Sequence, residues 1–253
     1  MKQRNILDFH AHIGKDKDGT GLSIEQLLQS MEACGITHSV VFPFNERKTT
    51  VEEASMQLYS QSQGHPLYPF FRFDPKDMTP ERLKERLNSF YGVKLHPRSQ
   101  NFDPLDERFF GLYEVIDASG KPLLFHSRYE DDPDTGMINP NSNPARIAGL
   151  AEEFPSLNLV IGHFGSYSAF VRKKMGDCPN IYLETSIGWS TPTFIELVAN
   201  QVGAHRLLFG SDFPYSYSKS QILELEKITL SNLKSADKEK ILYHNAAHLL
   251  MME

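Results

Sequence analysis

The sequence has little cysteine and no long apolar run, and each lack excludes a class of protein. Among 253 residues only Cys34 and Cys178 are cysteines, so a disulfide framework is not expected and a reducing compartment is indicated. No stretch approaches the roughly 20 apolar residues of a membrane-spanning helix, and the polar first residues lack a signal-peptide core. We therefore expect a cytoplasmic protein without a membrane span.

An excess of positive charge is also missing. The chain has 26 Lys and Arg residues against 32 Asp and Glu, a formal net charge of −6. Without a basic field, neither nucleic acid nor an anionic membrane surface is an expected partner. A small-molecule substrate is the partner that this composition favours.

Short apolar runs with β propensity alternate along the chain with segments of helical periodicity. Eight such runs are predicted as strands, beginning at Ile6 and then spanning 39–44, 67–73, 91–96, 122–126, 157–163, 180–185 and 206–210. Because βα repeats require parallel pairing, eight of them without a break in composition predict a (β/α)8 TIM barrel. We expect one domain over residues 1–253, with an additional C-terminal helix.

Several histidines lie at the ends of predicted strands, where a barrel of this kind has its catalytic groups. Catalytic groups stand at the carboxyl ends of barrel strands, and the residues found there are His10, His12, His96, His126, His163 and, just after the eighth strand, Asp212. On a strand, residues two apart share a face, so Asp8, His10 and His12 point to the same side. Imidazole nitrogens and carboxylate oxygens are the usual ligands of Zn²⁺ and similar ions.

The predicted metal ligands are therefore His10, His12, His126 and Asp212. The ion is expected to be one Zn²⁺, with Mn²⁺ or another divalent ion as alternatives. His163 is predicted to be catalytic, stabilising charge or relaying a proton, and Asp212 is predicted to be catalytic as well as a ligand.

Further strand-end residues have open roles. Lys94 and His96 share a face of the fourth predicted strand and, with His163, are candidates for a second metal or for substrate binding. Guanidinium groups suit a substrate carboxylate, and the candidates are Arg72, Arg98 and Arg128. Glu184 is predicted to support the site rather than to ligate the metal, and the polar loop 127–143 is a hypothetical lid.

The combination of these motifs resembles the amidohydrolase superfamily. The likeness is carried by Asp-x-His-x-His on the first strand, single histidines ending the fifth and sixth strands, and Gly-Ser-Asp-Phe-Pro after the eighth. The runs 92–97 and 245–250 are similar to the branch that includes aminocarboxymuconate-semialdehyde decarboxylase and related hydrolases. The resemblance implies His10, His12, His126 and Asp212 as metal ligands and His163 as the residue that activates water. It also implies a possible carbamylated Lys94 bridging a second metal, and a homo-oligomer.

Three functions are compatible with these residues. The leading expectation is a metal-dependent hydrolase, in which water activated on the ion attacks an ester, lactone or amide and Asp212 passes the proton to the leaving group. The first alternative is a non-oxidative decarboxylase of an unsaturated or aromatic carboxylic acid, with the arginines holding the carboxylate. The second alternative is a non-catalytic binding protein on an enzyme-like barrel.

Overall fold

Strands and helices alternate from one end of the chain to the other in an α/β fold. The computed structural model describes residues 4–45, 49–128, 141–215 and 220–252. The strands in these residues are β1 (Leu7–Lys15), β2 (Gly21–Leu22), β3 (His38–Pro43), β4 (Leu67–Phe71), β5 (Gly92–Leu95), β6 (Leu123–Phe125), β7 (Leu159–Ile161), β8 (Ile181–Glu184) and β9 (Leu207–Leu208). All eight predicted strands are present, and β2 is an addition that the sequence analysis did not predict.

The α-helices follow the strands along the chain. They are α1 (Ile24–Cys34), α2 (Val51–Ser62), α3 (Pro80–Leu87), α4 (Pro97–Gln100), α5 (Phe110–Ala118), α6 (Pro144–Glu153), α7 (Ala169–Asp177), α8 (Pro192–Val202), α9 (Gln221–Thr229), α10 (Ser235–Glu239) and α11 (Asn245–Leu249). The predicted C-terminal helix is present but divided, because a π-helical turn at Lys240–His244 separates α10 from α11.

Local sequence explains the helix ends. Ser23 and Gln26 form a capping box at the start of α1, each side chain binding the other residue's backbone N–H. Gly35 ends the same helix in the left-handed region at φ 71°, where a residue without a Cβ is favoured. None of the helices in the described part of the chain is long and apolar enough to cross a membrane.

The chain divides into two compact units, and the first consists of residues 1–70 and 184–253. In this unit β1 pairs in parallel with β3, β3 pairs in parallel with β4, and β2 folds back antiparallel on the end of β1. The register of β1 against β3 shifts between Asp8 and Ala11, which is the place where His10 lies. The segment after β9 runs beside β1, with Asp212 N donating to His10 O at 2.8 Å.

The second unit consists of residues 71–183. Its strands β5, β6, β7 and β8 pair in parallel in chain order. The residues of β6 and β7 are buried and apolar throughout, as expected for parallel strands that are covered on both faces. The carboxyl ends of β5, β6 and β7 therefore place His96, His126 and His163 along one edge.

Candidate metal centre

Two imidazoles and one carboxylate converge in the first unit. His10 Nε2 and His12 Nε2 each lie 3.1 Å from Asp212 Oδ1, and ligand atoms of the three residues all lie within 4.8 Å of one another. Both histidines are buried, whereas the Asp212 side chain is 21% exposed. Two nitrogen donors and one oxygen donor with an open side are a set that a catalytic divalent ion accepts.

Glu184 determines which nitrogen of His10 faces this group. Its Oε2 lies 2.8 Å from His10 Nδ1, and an ionised carboxylate can only accept, so Nδ1 carries the hydrogen and Nε2 the lone pair. Ser186 fixes Glu184 in turn, donating from its backbone N at 2.6 Å and from its hydroxyl at 2.7 Å. A histidine backed by a carboxylate in this way is characteristic of metal ligands.

Gly210 makes room for Glu184. A Cβ at this position would lie 1.9 Å from Glu184 Oε1, far inside van der Waals contact, so glycine is required by close approach. In the sequence this glycine belongs to the family motif Gly-Ser-Asp-Phe-Pro, and no role was predicted for it. The signal available in the sequence for this role was the position of Gly210, two residues before the candidate ligand Asp212.

Asp8 is buried and supports the segment that carries Asp212. Its carboxylate accepts from Ser211 N at 2.9 Å, from Ser211 Oγ at 2.5 Å and from Gln221 Nε2 at 2.8 Å. Burial raises the pKa of Asp8 to about 6, against the lowering effect of these hydrogen bonds. Asp212 itself has φ 55°, a conformation that costs energy in a non-glycine residue and recurs at functional sites.

Aromatic rings enclose His12. The Phe44 ring stacks on the imidazole at 5.0 Å, and the rings of Phe42 and Tyr215 meet it edge-on at 4.7 and 5.2 Å. Tyr215 also donates its hydroxyl to Asp16, and burial, followed by this bond, raises the pKa of Tyr215. These contacts hold the imidazole in one orientation and keep water from its faces.

Helix α9 carries a second layer of support. Lys227 Nζ donates to Glu224 Oε2 at 2.6 Å and to Ile187 O at 3.0 Å, which anchors the loop that begins with Ser186. Burial raises the pKa of Glu224 to about 7, with Lys227 lowering it and the nearby charges of Glu184 and Asp212 raising it. No role was predicted from the sequence for Gln221, Glu224 or Lys227.

Three histidines form a cluster in the second unit. His163 Nε2 lies 3.0 Å from His126 Nδ1, and the His96 ring stacks on the His126 ring at 3.8 Å and 13°. His163 opens a turn, His163–Tyr167, in which every residue has a positive φ, a costly arrangement for L-residues. The predicted assignment of His126 as a metal ligand stays a prediction.

His96 is held as a neutral imidazole. Burial, followed by His126, Arg72, Lys94 and His163, holds the pKa of His96 well below 6.5. The Ser99 N–H donates to His96 Nδ1 at 3.3 Å. Because a backbone N–H only donates, Nδ1 is the acceptor and Nε2 carries the hydrogen.

The predicted substrate-binding arginines differ in their surroundings. Arg72 is buried, and its Nη2 donates to Ser99 Oγ at 3.4 Å. Arg98 is half-buried and Arg128 exposed, and their backbone N–H groups bind Ser142 Oγ and Ser142 O at 3.1 and 3.0 Å. The lid predicted for 127–143 falls mainly on residues 129–140, which lie outside the described residues.

The motifs of both units lie in a region of the chain that matches a known protein family. The sequence profile of the amidohydrolase family matches residues 7–251. The chain belongs to the amidohydrolase family. This confirms the resemblance inferred from the strand-end histidines and the Gly-Ser-Asp-Phe-Pro motif.

Two curated relatives of this amidohydrolase are gamma-resorcylate decarboxylases. The protein from Rhodococcus jostii is 26% identical over 250 residues, which cover 90% of this chain and 66% of that protein. The protein from Polaromonas sp. is 28% identical over 126 residues, which cover 42% of this chain and 37% of that protein. The aligned region is thus less than two thirds of either relative's length.

Solved structures share the fold. The crystal structure of a dihydroxybenzoic acid decarboxylase from Polaromonas sp., with bound manganese and the inhibitor 2-nitroresorcinol, has a TM-score of 0.71 at 17% identity and covers 100% of this chain and 98% of its own. The predicted fold class, a (β/α)8 TIM barrel, is confirmed. The protein is an enzyme of the amidohydrolase superfamily.

The leading functional expectation is wrong. The relatives are named decarboxylases, and this favours the alternative of a non-oxidative decarboxylase over a hydrolase of esters, lactones or amides. The physical reason is that histidine and aspartate ligands select a divalent ion, whereas the bond that breaks depends on how the pocket holds the substrate. The ligand pattern alone therefore did not distinguish the two reactions.

Proposed function

We propose that this amidohydrolase is a metal-dependent, non-oxidative decarboxylase of an unsaturated or aromatic carboxylic acid. The observation that carries the proposal is the convergence of His10, His12 and Asp212, with His10 oriented by Glu184. The decarboxylase names of its relatives add the reaction type.

The donor set fits a divalent ion, because the lone pair of His10 Nε2 is available for coordination and the Asp212 carboxylate faces both imidazoles. His10, His12 and Asp212 would hold the ion, and His126 is proposed as the fourth ligand. A bound divalent ion would supply positive charge that stabilises negative charge on substrate oxygens. Zinc was the expectation from sequence, and manganese is equally suited to this donor set.

In the proposed reaction the bond between the carboxyl carbon and its neighbour breaks, and carbon dioxide leaves. The electron pair of that bond stays on the neighbouring carbon, which takes up one proton. We assign to the partly exposed Asp212 carboxylate the relay of this proton from solvent to the carbon. His163 is assigned to hold His126 in place through their 3.0 Å contact.

The rings around His12 support the same reaction. A carboxylate carries a full charge and carbon dioxide carries none. Surroundings poor in water therefore raise the free energy of the reactant more than that of the product. Phe42, Phe44 and Tyr215 provide such surroundings on one side of the candidate metal centre.

The test is release of carbon dioxide by the purified protein loaded with Mn²⁺ or Zn²⁺. A panel of aromatic and unsaturated carboxylic acids, including 2,6-dihydroxybenzoate, should contain a substrate that gives carbon dioxide and the decarboxylated product in equal amounts. His12→Ala and Asp212→Asn should fold and release none. Acid release from lactones with no carbon dioxide from any member of the panel would overturn the proposal.

The remaining expectations stay predictions. They are one domain over residues 1–253, a homo-oligomer and a cytoplasmic location. The substrate is proposed to be a small carboxylic acid, as in the dihydroxybenzoic acid decarboxylase that shares the fold.

A further inference from the structure

The buried carboxylate of Asp8 accepts four hydrogen bonds, two at each oxygen. Its Oδ1 accepts from the backbone N–H groups of His10 at 3.1 Å and Ser211 at 2.9 Å. Its Oδ2 accepts from Ser211 Oγ at 2.5 Å and from Gln221 Nε2 at 2.8 Å. Because Asp8 has no exposed surface, its charge is tolerated only when donors of this kind surround the two oxygens.

These bonds fix the backbone at two candidate ligands of the metal centre. The His10 N–H binds Asp8 in the stretch where the register of β1 against β3 shifts. Ser211 immediately precedes Asp212, whose φ of 55° is a conformation that surrounding contacts must maintain. The Ser211 hydroxyl also accepts from Phe213 N at 3.1 Å. Asp8 therefore joins the two backbone segments that carry His10 and Asp212.

Gln221 supplies the one of these four bonds that comes from helix α9. It is the first residue of α9, has no exposed surface and meets Asp8 across 213 residues of sequence. A carboxylate only accepts, so the amide nitrogen of Gln221 is the atom that faces Asp8. The amide oxygen is also buried, and it has no hydrogen-bond partner among the residues that the structure describes.

The buried amide oxygen limits what Gln221 contributes to stability. Burying an acceptor without a partner costs free energy of the same order as that gained from one hydrogen bond to a charged group. Because the two effects largely offset each other, the side chain adds little to the stability of the fold. Its remaining effect is to hold the Asp8 carboxylate in one orientation.

Resting on the proposed function, we propose that Gln221 is a positioning residue of the metal centre. It orients the Asp8 carboxylate, and Asp8 in turn holds the backbones of His10 and Ser211. Without the Nε2 donor, the carboxylate and the Ser211 hydroxyl can turn together, and the backbone that leads to Asp212 loosens. The ligands must then be ordered when the ion binds, which weakens binding.

The test compares Gln221→Met with the wild-type protein by three measurements. Methionine keeps the length and the unbranched shape of glutamine and removes both polar groups. The dissociation constant for Mn²⁺, from competition with a chromophoric chelator, should rise about tenfold. In the metal-free protein, amide hydrogen exchange at His10 and Ser211 should be about tenfold faster. The melting temperature should shift by less than about 3 °C.

Gln57→Met, at an exposed position of α2, is the matched control and should change none of the three quantities. Gln221→Leu is the second variant and should reproduce the effects of Gln221→Met. Unchanged exchange at His10 and Ser211 in either folded variant would overturn the inference, and so would an unchanged dissociation constant. Faster exchange throughout the chain, with a large fall in melting temperature, would also overturn it, because Gln221 would then act on the fold as a whole.

The same measurements separate this inference from the proposed function. Carbon dioxide release by the wild-type protein, with variants that bind Mn²⁺ and exchange hydrogen as the wild type does, leaves the proposed function standing and removes the role of Gln221. Weaker Mn²⁺ binding and faster exchange in the variants, with no carbon dioxide from any acid, removes the proposed function. Gln221 then remains a positioning residue of a metal centre.

Discussion

The carboxylate of Glu184 lies 2.8 Å from His10 Nδ1, on the opposite side of the ring from Asp212. Glu184 has no exposed surface, and each of its oxygens accepts from Ser186. The contact joins the end of β8 to β1, across 174 residues of sequence. It fixes the tautomer of His10 before any ion binds.

Replacing Glu184 by Gln tests this contact. The variant keeps the shape of the side chain and removes its charge, so His10 Nε2 becomes a weaker base. We expect the metal dissociation constant to rise about 10–100-fold, measured by competition with a chromophoric chelator. Glu85→Gln, on the exposed face of α3, is the control, and an unchanged constant for Glu184→Gln would contradict the role assigned to the carboxylate.

Gly210→Ala tests the close approach of the chain to Glu184. A methyl group there meets Glu184 Oε1 at 1.9 Å, so the carboxylate or the backbone must move, at a cost of about 1–3 kcal/mol in unfolding free energy. Gly176→Ala in α7 is the matched control, because nothing lies within 4 Å of its added Cβ. In urea denaturation the control should be neutral or more stable by about 0.5–1 kcal/mol.

Glu224 makes stability depend on pH. Its folded pKa of about 7 lies above the ordinary value of 4.5, so the folded state holds a proton that the unfolded chain releases. The resulting stabilisation is complete below pH 4.5 and is lost as the pH rises to 7, a change of at most about 3 kcal/mol.

The Glu224→Gln variant should therefore lose less unfolding free energy than the wild type between pH 4.5 and 7. Urea denaturation of the metal-free proteins measures both profiles. Asp8, whose pKa is also raised, contributes equally to both and cancels in the comparison. Parallel profiles would show that Glu224 titrates as an ordinary carboxyl.

His163→Asn tests the histidine pair of the second unit. Asparagine tolerates the φ of 53° at this position better than most residues, so the backbone turn should persist while His126 loses its partner. Turnover should fall by about 10²-fold or more with little change in melting temperature. The exposed residue His65 provides the control variant, His65→Asn, and equal turnover of the two variants would remove His163 from the proposed machinery.

Most of the fold was predictable because of how its strands are buried. Parallel strands covered on both faces appear in the sequence as continuous apolar runs, as in Leu123–Phe125. The strand Gly21–Leu22 was missed because two residues are too few to show a pattern. The π-helical turn at Lys240–His244 was missed because apolar periodicity continues through it with little change.

The site was predictable only in part, for a different reason. His10, His12 and Asp212 were predicted because catalytic groups lie at the carboxyl ends of the strands in this architecture. Gln221 and Lys227 act through contacts to Asp8 and Ile187 that are remote in sequence, and no local pattern reveals such contacts. The reaction type was misjudged because the same ligands serve hydrolysis and decarboxylation.

The most direct test is anomalous diffraction at the manganese edge from crystals of the manganese-loaded protein. The account predicts a strong peak within about 2.0–2.3 Å of His10 Nε2, His12 Nε2 and an Asp212 oxygen, and loss of that peak in Asp212→Asn crystals. A manganese peak bound elsewhere, with these three side chains uncoordinated, would contradict it.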